Sequence, residues 1–168
     1  TIMYAGMLVD TNYFKQRVGV RTFQSAARLK ELNANVVQAY ELLEDSFEKT
    51  KEILDITKTA VRYRDHILIA HGEENEEHQS SALAKASNQL LSVQDVLATF
   101  TVGRLNKNTV AISGRSSRDI NVQMIMEKLG GGGHFTMAAC QITDKSIDEV
   151  IEMLHNAIDA YFNERGDV

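Results

Sequence analysis

The hydrophobic positions of this chain fall into regions of different period. Residues 1–14 are apolar as far as Val9 and turn polar at Asp10-Thr11-Asn12, the pattern of a buried element running out into a loop. From Thr22 to Leu32, Phe23, Ala26, Ala27, Leu29 and Leu32 recur at helical spacing. Thr22 is placed to cap that helix and Asn33-Ala34-Asn35 to close it. Helical spacing resumes at Val36 and runs to about Tyr63 through Leu42, Leu43, Phe47, Ile53, Leu54, Ile56 and Val61. Glu44, Glu48, Lys49, Lys51 and Glu52 fill the opposite side, which predicts a long solvated helix suited to link two modules.

At His66 the period changes. His66-Ile67-Leu68-Ile69-Ala70-His71 is a short apolar run stopped by Gly72 and predicts a strand. The acidic stretch Glu73–Glu77 is a loop, and Ser81 to Leu91 is a helix. Ala98–Leu105 and Thr109–Ser113 alternate around the turn Asn106-Lys107-Asn108, which makes an antiparallel hairpin. Asn121–Leu129 is a helix ended by four glycines, Ala138–Ile142 a strand, and Ser146–Phe162 a closing amphipathic helix. The fold class is therefore α/β, a mixed sheet with helices over residues 65–168, preceded by a helical linker over 36–64 and a helical segment over 1–35.

Composition narrows the function. Hydrophobic residues are 43% and charged residues 24% of 168, as in ordinary globular proteins. The net charge of -5 leaves no broad basic face, which argues against long nucleic acids as partners. A small anion needs only one or two placed cations. Cys140 is the single cysteine, so a disulfide framework is excluded; its apolar surroundings mark it as a small buried hydrophobe, and the chain reads as cytosolic. No apolar run approaches the roughly 18 residues of a membrane span. The start at Thr1 has no basic leader and reads as cut from the middle of a longer protein. Proline is absent, so turns fall to Gly, Asn and Asp.

The strongest chemical signal is Gly130-Gly131-Gly132-Gly133-His134. One glycine caps a helix; four carry an entropic cost that a cap does not require. Their return is close backbone approach and N–H groups free to converge on an anion, with His134 adding a donor. Ser113-Gly114-Arg115-Ser116-Ser117 ends the hairpin, where an Arg flanked by hydroxyls makes a forked contact to phosphate or simply a polar turn. Asp10, after an apolar run, is placed either as a ligand for a hard metal ion or as a turn residue, with Arg17 and Arg21 nearby. His66, His71 and His78 with Glu76 and Glu77 match no standard metal spacing.

In this order the segments resemble a known family. Ala5–Phe14, followed by Arg21-Thr22-Phe23-Gln24-Ser25-Ala26-Ala27, resembles the last catalytic motif of the DHH phosphoesterases. Ser113–Ser116, Asn121-Val122 and Gly131-Gly132-Gly133-His134 resemble their DHH-associated C-terminal domain, DHHA1. The branch most similar is the GdpP-type cyclic di-AMP phosphodiesterases. The resemblance implies hydrolysis of cyclic di-AMP to linear di-AMP with two manganese ions. Asp10 would match the final metal-ligand Asp. Arg115, Ser116, Gly131, Gly132, Gly133 and His134, with Arg21, would hold the substrate. It also implies a parent protein with the remaining DHH motifs and GGDEF-like, PAS-like and membrane segments N-terminal to Thr1, this part soluble on the cytoplasmic face. One Asp assembles no two-metal centre, so this polypeptide alone is expected to be inactive while retaining nucleotide binding. The apolar faces of residues 1–35 would then be satisfied by a missing domain or a homodimer. Met137 stands where a polar residue is expected. Two other readings fit the same scaffold: a short-RNA oligoribonuclease, and a non-catalytic RNA-binding associated domain.

Overall fold

The computed structural model describes residues 1–117 and 119–166. Its chain contacts divide it into two units, Thr1–Ser46 and Phe47–Val168.

The first unit holds three helices: α1 (Ile2–Asp10), α2 (Val20–Glu31) and α3 (Val36–Glu41). Ala5 and Leu8 of α1 bury against Ala39 of α3, joined by Tyr4, Phe14 and Leu43. Two stacked ring pairs extend this small core, Tyr13 on Tyr40 at 5.9 Å and Phe14 on Phe23 at 5.6 Å. The apolar run at the N-terminus is thus a helix. It ends in an unusual turn: Asn12, Tyr13 and Phe14 have successive φ values of 46°, 56° and 61°. Left-handed backbone costs a non-glycine residue about 1 kcal/mol or more. The Thr11 hydroxyl holds the turn, donating to the Met7 carbonyl at 2.7 Å and accepting from the Phe14 N–H at 3.0 Å. α2 begins two residues before the sequence suggests. Thr22 does not cap it from outside; its Oγ1 reaches back to accept the Gly19 N–H at 3.2 Å.

The run from Val36 to Tyr63 is not one helix. α3 stops at Glu41, turns at Leu43 and Glu44 follow, and a separate α4 spans Phe47–Thr57. Val61–Tyr63 then forms a strand, β1, where β-branched and aromatic residues outweigh the residual helical spacing.

The second unit is a six-stranded mixed sheet between two helical layers. After β1 come β2 (Ile67–His71), α5 (Ser80–Leu90), β3 (Ala98–Asn106), β4 (Thr109–Ser116), α6 (Val122–Glu127), β5 (Gly132–His134), β6 (Met137–Thr143) and α7 (Ile147–Arg165). The sheet order is β1-β2-β3-β4-β6-β5, and β2–β3 is the parallel pair. Strand alternation sends Ile67, Ile69, Phe100, Val102, Val110 and Ile112 to one face, where Val150, Leu154, Ile158 and Tyr161 of α7 and Ile125 of α6 cover them. Leu68, Ala70 and Ala111 go to the other, under Ile53 and Ile56 of α4 and Ala82, Leu83 and Ala86 of α5.

Polar devices set the helices on both faces. Thr99 and Thr101 are fully buried beneath α5; Thr101 Oγ1 donates to the Leu83 carbonyl at 2.7 Å, and Thr99 Oγ1 to the Ser87 carbonyl at 2.9 Å. Every buried hydroxyl there has a partner, as burial requires. α7 is set by a capping box, Ser146 Oγ accepting the Glu149 N–H at 3.2 Å and Glu149 accepting the Ser146 N–H at 2.9 Å.

Candidate functional site

α5 packs over β3 and β4, while α6 packs on the opposite face of β4, β6 and β5. On the α5 side, β6 is bare: Met137, Ala139 and Gln141 are exposed, while the alternating Ala138 and Cys140 are buried. The result is a cleft of about 330 Å³ along the edge of α5. Strand register sets its floor in three rows. Arg115, Met137 and His134 form the first, Ser113, Ala139 and Gly132 the second, Ala111 and Gln141 the third. Ser80, Leu83 and Ala84 of α5 make the wall.

Arg115 belongs to this cleft because β4 runs on to Ser116, beyond the end at Ser113 that the sequence suggests. Its Nη1 donates to the Gly114 carbonyl at 2.8 Å and the Ser113 hydroxyl at 3.2 Å. Both acceptors are neutral. Among the described residues no carboxylate pairs with it. Burial pulls the guanidinium pKa below its ordinary value, with no charge to oppose that pull. Removing a charge from water without a counter-ion costs several kcal/mol, and an incoming anion would offset it.

The glycines reach the cleft by a route other than a flexible loop. Gly130 (φ 79°) turns the chain out of α6, and the Gly131 N–H donates to the Met126 carbonyl at 2.9 Å. Gly132–His134 then pairs antiparallel with β6 as the edge strand. An edge strand keeps one side of its backbone without a neighbouring strand, so polar groups remain for a ligand. Side chains are excluded at two positions. A Cβ on Gly131 would sit 2.3 Å from the Ala139 carbonyl oxygen, and one on Gly133 (φ 150°) 2.4 Å from that of Met137. Gly132 has open space.

The structure therefore gathers Arg115, Gly132, Gly133 and His134 in one cleft and leaves other expected residues out of it. Ser116 is 1% exposed; its hydroxyl donates to the Ile120 carbonyl at 2.6 Å. That bond ties the β4 end to the chain entering α6 and leaves no phosphate contact, so the substrate role read for Ser116 gives way to a structural one. Gly131 does not line the cleft and serves by close approach to β6. Asp10 and Arg21 lie in the first unit. The Asp10 carboxylate is 78% exposed, 4.0 Å from Arg17. Arg21 is exposed in the first turn of α2. Gln141, Ala139 and the α5 wall were not singled out in the sequence. Their signal is an outward row of β6 that no helix covers, which appears only once the strands are in register.

His66, His71 and His78 serve the fold. His78 is buried, with Nδ1 3.1 Å from Glu52 Oε1 and its ring against Gly72. His66 and His71 engage the Asp95 and Gly72 carbonyls. Among the described residues no group of three His, Cys, Asp or Glu side chains is placed to hold a metal ion. No helix is long and apolar enough to cross a membrane, again among the described residues.

Residues 65–164 match the DHHA1 domain model, and the chain belongs to the DHHA1 domain family. Its curated relatives are named more narrowly. Over 164 residues it is 41% identical to the cyclic-di-AMP phosphodiesterase GdpP of Bacillus subtilis (strain 168), covering 96% of this chain and 25% of that protein. It is 38% identical over 162 residues to the cyclic-di-AMP phosphodiesterase PdeA of Listeria monocytogenes, with the same coverage of 96% and 25%. The chain thus spans about a quarter of the length of these relatives. An exopolyphosphatase-related protein from Bacteroides fragilis has the same fold, with a TM-score of 0.80 at 15% identity over 92% of this chain and 48% of that one.

Proposed function

We infer that this chain supplies the substrate-holding part of a phosphodiesterase that opens cyclic di-AMP to linear di-AMP. The observation that carries the reading is Arg115, a half-buried cation with neutral partners, on a bare strand face beside a glycine edge strand. A phosphodiester supplies the missing negative charge. Nη1 is already engaged, which orients the guanidinium and leaves Nε and Nη2 for a forked contact. The unpaired side of the edge strand Gly132–His134 adds an uncharged backbone donor, and the His134 ring at the end of the first row adds another. The names of the Bacillus and Listeria relatives supply the substrate class.

Manganese is part of this reading for the intact enzyme, where it would activate water at the scissile phosphate. The residues of this chain do not fit such a centre: Asp10 is one exposed carboxylate beside Arg17, and among the described residues no group of three His, Cys, Asp or Glu side chains could hold a metal ion. What the chain's own residues do is bind the dinucleotide, neutralise a phosphate and hold it in register. The parent's membrane, PAS-like and GGDEF-like segments belong to the same proposal.

Calorimetry with cyclic di-AMP, linear di-AMP and a short oligoribonucleotide, beside a manganese-supplemented turnover assay, tests it. Binding of the dinucleotides without turnover is the expected result. Tighter binding of the oligoribonucleotide would favour the oligoribonuclease reading, and turnover at the rate of an intact enzyme would contradict the division of labour.

A further inference from the structure

The cleft has two chemically different ends. At one end Arg115 and His134 flank Met137, and at the other Ala111 lies beside Gln141 under Leu83 and Ala84. Strand rise of about 3.3 Å per residue places Ala111 about 13 Å from Arg115. That leaves room for a nucleotide laid lengthwise, phosphate at the Arg115 row. Between the ends the floor is small, with Ala139, Ser113 and Gly132 forming the middle row. The far end is apolar except for the Ser80 hydroxyl on the α5 wall and the Gln141 side chain on the floor, which is exposed on β6 and makes no hydrogen bond to another described residue.

We propose that Gln141 is a specificity-determining residue that reads the base, with Leu83, Ala84 and Ala111 forming the slot that receives its ring. The proposal rests on the cyclic dinucleotide reading above. A ring entering the slot meets apolar surface on the α5 wall and on the floor. Its polar edge then meets an amide that presents an acceptor and two donors. Adenine offers an amino donor at N6 beside an acceptor at N7, and an amide pairs with both at once. Guanine offers acceptors at both O6 and N7 on that edge, so the amide oxygen would face an acceptor and one contact would be lost. Arg115 holds the charge common to all such ligands, and Gln141 distinguishes among them.

The test is calorimetric titration of cyclic di-AMP and cyclic di-GMP into the unsubstituted chain, Gln141→Leu and Arg115→Ala. Gln141 is exposed, so the Leu variant should keep its melting temperature. The unsubstituted chain should prefer cyclic di-AMP. Gln141→Leu should weaken cyclic di-AMP roughly tenfold and leave cyclic di-GMP within about twofold, which removes the preference. Arg115→Ala should weaken both ligands by a similar factor. An adenine preference that survives Gln141→Leu, or no preference in the unsubstituted chain, would overturn the role of Gln141 alone. Failure of the unsubstituted chain to bind either ligand would overturn the dinucleotide reading together with it.

Discussion

Arg104 and Arg115 sit on neighbouring strands of one sheet, β3 and β4, and their environments are opposite. Arg104 has its charge answered: its side chain is 12% exposed and pairs with Glu74, and further donors reach the Glu74, Lys107 and Lys145 carbonyls. Glu74 in turn accepts the Ile147 N–H at 2.7 Å, so this corner clamps the acidic loop to the start of α7. Among the described residues Arg115 meets a hydroxyl and a carbonyl and no carboxylate. The same residue type thus holds the fold together at one corner and at the other keeps an unanswered charge beside a bare strand face. It is this unanswered charge on which the proposed function rests.

The contrast can be strained from both sides. The largest effect belongs to the backbone under the Arg115 row. Gly133→Ala combines a φ of 150° with a Cβ 2.4 Å from a carbonyl oxygen, so it should lower unfolding free energy by about 2 kcal/mol or more. Gly132→Ala, which enters open space, should stay within about 0.5–1 kcal/mol. Urea unfolding of the two variants measures the difference.

Next come the arginines themselves. Arg104→Ala should destabilise by about 1–3 kcal/mol, since it strips partners from Glu74 and two carbonyls, with ligand affinity little changed. Arg115→Ala should reverse this, weakening dinucleotide binding by about 1–3 kcal/mol without loss of stability. Equal losses of stability in the two variants would remove the distinction.

Acid should separate the corners more gently. The Ile147 N–H, then Arg104, hold the Glu74 carboxyl below its ordinary pKa, and the Lys145 ammonium and Ser146 N–H pull Glu149 down to about 2. Carboxylates depressed in the folded state stabilise it above their unfolded pKa, and that contribution fades as pH falls through the folded value. The start of α7 should therefore loosen between the ordinary carboxylate range and about pH 2, while the β4–β6–β5 face holds. Amide exchange at Ile147–Val150 against Ala138–Cys140 across an acid series reads this directly.

The smallest effect is at Cys140. Burial pushes its thiol up to about 11, so it should resist alkylation at neutral pH although it borders the cleft. Rapid labelling of the folded chain would show that the core under α6 and α7 opens more readily than its packing suggests.

Much of this was legible in the residues. A short apolar run stopped by Gly72 located β2, alternation located the β3–β4 hairpin, and β6, α5, α6 and α7 were also placed from the sequence. Two strands escaped. β1 is three residues of a run whose helical spacing continues past α4, and β5 is made of glycines, which have no side chains to show alternation. The break between α3 and α4 carries neither proline nor glycine to announce it. Arg115 and the glycines stood out in the sequence because a buried cation and a glycine run are costly, and the structure brings Arg115, Gly132 and Gly133 into one cleft. Ser116 was misread because its hydroxyl turns to the buried side, a matter of strand parity that local sequence does not state. Gln141 carries no signal in the sequence, because the cleft it faces exists only where α5 stops short of β6.

One measurement tests the central claim most directly: the melting temperature of the unsubstituted chain and of Arg115→Ala, each with and without cyclic di-AMP. A ligand that binds only the folded state raises the melting temperature. Arg115→Ala should melt at or above the unsubstituted chain without ligand and lose the ligand-induced rise. An Arg115→Ala chain that melts lower without ligand, yet keeps the full rise with it, would show that Arg115 serves the fold and that the cleft is not the phosphate site.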